Sequence, residues 1–114
     1  MSARDTQERW EQFWTRIDAE TKAEKRSQAA LFELSRHYLS LPAMERQTID
    51  AVLTEWVLCD DASKRFDALA LIGEHRIRGA LPALEELRQK LDKSREPGAR
   101  FEKAKVDRIV AALM

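Results

Sequence analysis

The first proline in this 114-residue chain is Pro42 and the first glycine is Gly73. A run of forty residues with no backbone breaker is hard to fit into a sheet, where turns must come every few residues. Apolar residues recur throughout at helical spacing, and no segment alternates with period two over the length of a strand. The predicted fold class is therefore all-α. Six helices are expected.

The first is expected to begin near Asp5, where Asp5 and Glu8 have the spacing of a capping box. Trp10, Phe13, Trp14 and Ile17 follow at i, i+3, i+4 and i+7, which gathers them into a stripe about 100° wide. Asp18 to Gln28 then carry no large apolar residue, and Thr21 with Glu24 offers a second capping box. The breaker-free run allows one helix to residue 40, but two helices with a turn near residues 18–21 fit the spacing better, the second faced by Leu31, Leu34, Tyr38 and Leu41. Pro42 opens the third helix, since a missing N–H costs nothing in a first turn. Ile49, Val52, Leu53 and Trp56 face inward there, widened by Ala51 and Val57.

Asp60 and Asp61 end that helix and cap the fourth, where negative charge meets the positive end of the helix dipole. Phe66, Leu69, Ala70 and Gly73 are expected on its buried face, broadened by Leu71 and Ile72. Gly79 and Pro82 frame a fifth helix striped by Ala80, Leu84, Leu87 and Leu91. A turn at Arg95–Gly98 leads to a sixth with Val106, Ile109, Val110 and Leu113 in register. Phe101 lies off that stripe: either the last helix starts beyond it or it docks elsewhere.

Size permits one domain, 1–114, whose folding can bury about two-thirds of the chain's surface without metal or disulfide. Equal counts of 20 basic and 20 acidic residues remove the global electrostatic drive of a nucleic-acid binder. The single cysteine, Cys59, makes neither a disulfide framework nor a cysteine zinc site. The chain has no apolar run long enough to span a bilayer and no secretory-type leader at its first residues, so a cytoplasmic protein without membrane attachment is expected.

Residues 64–87, KRFDALALIGEHRIRGALPALEEL, resemble the junction between two HEAT-type repeats of the PBS-lyase kind. A basic pair, Lys64 and Arg65, precedes Ala68, Leu69 and Ile72, which point into the stack. Gly73 and a charged link follow, and Ala80-Leu81-Pro82-Ala83-Leu84 opens the next helix. The resemblance implies a short α-solenoid of antiparallel helix pairs, with 42–113 as two repeats and 1–41 as an N-terminal helical cap. Each pair buries one face only and needs a neighbour to complete its core. It is also similar to HEAT-like bacterial immunity proteins, which implies a protein that binds and blocks a toxin.

No catalytic or cofactor-binding constellation emerges, and no metal site. His37 and His75 lie apart, and Glu33, four residues before His37, allows one hydrogen bond but not a ligand set. Cys59 reads as a buried, inert thiol beside two acids. An enzyme is therefore not expected. Trp10 and Trp14 read first as core of the first helix, and otherwise as anchors for a partner or a homodimer. Arg76 and Arg78 flank Ile77 in the inter-repeat link and are candidates for a polar contact edge.

Residues 88–108 hold eight Lys/Arg against four acids, the feature behind a nucleic-acid alternative. Some HEAT-like proteins hold DNA along a basic groove, and certain of these excise damaged bases. The expected function is nevertheless protein–protein interaction without enzymatic activity or cofactor, the partner being another protein.

Overall fold

The computed structural model describes residues 2–24 and 27–114. They form helices and connecting turns, with no strand among them. The helices are α1 (Ala3–Glu24), α2 (Ser27–Ser40), α3 (Ala43–Trp56), α4 (Ala62–His75), α5 (Leu81–Lys93) and α6 (Ala99–Leu113). A 3-10 turn over Arg78–Ala80 precedes α5. The chain divides into two compact units, Met1–Val52 and Leu53–Met114.

In the N-terminal unit, α1 starts earlier than the Asp5–Glu8 pair suggests. Ser2 is the cap: its Oγ accepts the Asp5 N–H at 3.1 Å and its carbonyl accepts the Thr6 N–H at 3.1 Å. A hydroxyl in that position satisfies a donor that the first turn leaves orphaned. Glu8 instead meets Arg4 across one turn at 3.3 Å, an exposed pair worth little.

The predicted turn at 18–21 does not occur. α1 continues through it to Glu24. Residues 18–24 contain no glycine or proline, so the end of the apolar stripe does not end the helix. The side chains of Thr21 and Glu24 lie outside the described residues. α1 and α2 are antiparallel neighbours, because the rings of Phe13 and His37 stand 4.3 Å apart. On one straight helix those residues would be separated by about 36 Å.

Trp10, Trp14 and Ile17 from α1 and Ala30, Leu34 and Tyr38 from α2 are buried. Leu31 and Leu41, expected on the same face, are half-buried. Tyr38 donates its hydroxyl to Asp50 Oδ1 at 2.6 Å, which ties α2 to α3. Burial, then this bond, then the Asp50 charge push the Tyr38 phenol far above its ordinary pKa of 10.0, against a smaller opposing pull from Arg46. Pro42 stands immediately before α3 and its carbonyl accepts the Arg46 N–H at 2.9 Å. Ile49 and Val52 are buried, whereas Ala51 is exposed.

In the C-terminal unit, Leu53, Trp56 and Val57 are buried at the end of α3 and just beyond it. Asp61 caps α4 as its position suggested, accepting the N–H groups of Ser63 at 2.9 Å and Lys64 at 3.1 Å. The buried face of α4 is Ala68, Leu69, Leu71 and Ile72. Phe66, expected there, is 46% exposed. At 100° per residue it lies roughly 140° around the helix from the centre of that face.

α4 ends on Arg76, which takes the left-handed conformation at φ 52° and ψ 55°. The Ile77 N–H then closes on the Ile72 carbonyl at 3.1 Å, and Ile77 is buried. Gly73 permits a close crossing, since a Cβ there would stand 3.3 Å from Ile109 Cγ1 of α6. α6 packs on both α4 and α5. Val106, Ile109, Val110 and Leu113 are all buried, in the register the sequence indicated. Residues 64–87 are accordingly helix, bend, 3-10 turn and helix.

Candidate functional site

Trp10 and Trp14 are 1% and 5% exposed. They are core residues of the N-terminal unit, and either could anchor a partner only by leaving that core. Arg76 and Arg78 belong to the C-terminal unit, one capping α4 and the other opening the 3-10 turn, and both are exposed around buried Ile77. Cys59 is half-buried, not buried, with Sγ 3.6 Å from the Asp61 carbonyl. Among the described residues no three His, Cys, Asp or Glu side chains converge as a metal would require. No described helix is long and apolar enough to cross a membrane.

The late basic run is partly consumed within its own unit. Lys103 bonds Asp92 at 2.9 Å, and Arg88 pairs with Asp107 at 3.2 Å and Glu85 at 3.3 Å. Arg65, the second residue of the HEAT-type basic pair, donates Nε to Glu102 at 2.9 Å and Nη1 to the Cys59 carbonyl at 2.9 Å. It clasps the loop before α4 to α6.

Two surface features stand out. On the C-terminal unit, Phe66 of α4 and Phe101 of α6 line one groove of about 280 Å³, together with Leu69. Phe101 is 79% exposed. Lys105 crosses the Phe66 ring with Nζ 3.7 Å from its centroid, a cation–π contact. Burial lowers the Lys105 pKa, while Asp67 and Glu102 pull it back up and Arg108 lowers it further. Helical periodicity alone places Phe66 in the core and leaves the surroundings of Phe101 open. The signal was Phe101 itself, a large aromatic off the stripe of its own helix.

On the N-terminal unit, a cleft of about 510 Å³ opens among α1, the end of α2 and α3. Arg9, Phe13 and Arg16 of α1 form one wall, with His37, Leu41 and Glu45 opposite. His37 stacks on Phe13 at 4.3 Å and 20° and lies 5.9 Å from the Trp10 ring. Its partners are therefore aromatic rings rather than Glu33. The Arg16 guanidinium sits over Phe13, 5.1 Å from the ring centre. Burial, and then the Arg16 charge, hold the His37 imidazole below its ordinary pKa of 6.5. Nothing in the residue pattern marks this cleft, because it joins residues from three helices.

Comparison with family models, with curated proteins and with solved structures yields no match.

Proposed function

We propose that this chain is a non-enzymatic protein-interaction module of the cytoplasm that docks its partner on the α4–α6 face of the C-terminal unit. The observation carrying this reading is the shared groove of Phe66 and Phe101, two aromatics left 46% and 79% exposed. Large rings in water at adjoining positions cost solvation that a partner surface recovers, and aromatic residues are enriched at the centres of interfaces. Lys105 edges the groove, where Glu102 is already paired with Arg65, and Arg100 and Arg108 lie on the same helix as Phe101. The complementary surface is acidic around an apolar centre.

A HEAT-like stack is the finer architecture of this proposal. It is supported by the helix–bend–helix order of residues 64–87 and by the packing of α6 on both α4 and α5. The likeness to immunity proteins narrows the partner to a toxin that the chain would block by covering it. A stable complex of that kind buries at least about 1,000 Å².

The test is affinity capture with the tagged chain, compared quantitatively with a Phe66→Ser/Phe101→Ser variant. Retention of one protein by the wild type and its loss by at least tenfold in the variant, at equal thermal stability, is the expected result. Equal capture by both chains overturns the assignment of the face.

A further inference from the structure

We infer that the cleft among α1, α2 and α3 is a binding site for a small organic anion: a carboxylate or phosphate carried on an apolar, ring-sized body. This is independent of the α4–α6 face.

Three observations carry it. The first is size, since about 510 Å³ falls within the roughly 300–1,000 Å³ of small-molecule sites.

The second is charge. Arg9 and Arg16 stand seven residues apart on one face of α1, about 10 Å along the axis, with Phe13 between them. Arg4, Arg65 and Arg88 each meet a carboxylate. Arg9 has no ion pair or hydrogen bond among the described residues, and Arg16 touches only the Phe13 ring. Glu45 is the one carboxylate in the lining, against two guanidinium groups. A guanidinium fork matches the oxygens of a carboxylate or phosphate.

The third is the chemistry of the walls. The Trp10 indole Nε1, in a side chain that lines the cleft, is a buried donor without an acceptor. Buried donors normally have one, and the exceptions call for an explanation. Phe13 and Leu41 add half-buried apolar surface for the body of the ligand. The walls therefore offer cations and hydrocarbon, and Trp10 leaves one buried donor unsatisfied beside them.

The test uses the full chain and four probes: 2-naphthoate, 2-naphthyl phosphate, neutral 2-naphthamide and inorganic phosphate. Binding is followed by two-dimensional ¹H–¹⁵N NMR. The Trp10 indole signal is assigned by elimination with Trp14→Phe and Trp56→Phe. Saturable shifts of that signal and of the Phe13 and His37 amides with one or both naphthyl anions are expected. The preferred anion identifies the oxyanion class.

The amide and inorganic phosphate should each bind at least about tenfold more weakly, because each lacks half of the recognised chemistry. Arg9→Gln/Arg16→Gln changes exposed side chains only and should weaken the anions about tenfold at unchanged melting temperature. Glu45→Gln, which removes the opposing charge, should tighten them two- to threefold. Arg16→Gln alone serves if the double variant is unstable. The proposal falls if neither anion shifts these signals at millimolar concentration, if the amide binds equally, or if the arginine variants bind like wild type.

Discussion

Arg76 is the residue at which local geometry and residue type disagree most clearly. It is the one non-glycine position with positive φ among the described residues. The left-handed region costs an L-residue roughly 1–2 kcal/mol that glycine avoids, and glycine is the common choice just past a helix end. Arg76→Gly is therefore expected to stabilise the chain by about 0.5–1 kcal/mol, visible as a rise of a few degrees in melting temperature. A fall in stability would mean that the Arg76 side chain contributes more than its backbone costs.

His37 makes a pH-dependent contribution at the same scale. Its folded-state pKa lies below the ordinary 6.5, from burial first and Arg16 second. The unfolded chain then binds the proton more readily, so stability is full above about pH 6.5 and declines as pH falls toward the lowered folded value. Urea midpoints at pH 7.5 and pH 5 should differ more for the wild type than for His37→Gln. Tyr38 is pH-silent in the neutral range but structural. Tyr38→Phe removes the 2.6 Å bond to Asp50 and should cost about 1–2 kcal/mol in the same titration.

At the scale of the helix, the starts of α3 and α4 are legible in the sequence, whereas the Asp5–Glu8 and Thr21–Glu24 spacings mark no helix start. Asp61 is recognisable because a short acidic side chain before a run of helix formers has one productive use. Asp61→Ala leaves two N–H groups uncapped and should cost about 1 kcal/mol, whereas Asp61→Asn should retain most of the cap. A chemical denaturation series of the two variants checks this. The turn expected at 18–21 illustrates the opposite case. An apolar gap reports what a helix packs against, not where its backbone stops, and α1 stays helical through it to Glu24. The buried face of α4 departs from its expected position for a related reason. Phe66 and Leu69 are three apart and can share a side, but Ala68, Leu71 and Ile72 rotate the buried centre away from Phe66.

For the chain as a whole, charge bears on the class of macromolecular partner. Net charge is zero, and Arg88 and Lys103 of the basic run are already engaged with Glu85, Asp92 and Asp107. Phosphate-driven binding needs several uncommitted cations on one face and weakens steeply with salt. Duplex and single-stranded oligonucleotides are accordingly expected to leave the anisotropy of a labelled probe unchanged at low salt. A rise abolished by salt would revive the nucleic-acid alternative.

The sequence alone determined that the chain is helical, where α3 and α4 start, and which residues of α6 are buried. Those properties follow from backbone breakers, caps and 3.6-residue periodicity, all local in the chain. Tertiary structure decided between core and anchor for Trp10 and Trp14, put Phe66 and Phe101 in one groove, and brought Arg9, Arg16 and His37 together across a cleft. Periodicity tells how wide an apolar stripe is, but which part of it is covered depends on a neighbour's position. Contacts between residues 24 or more apart in the chain arise only when helices cross.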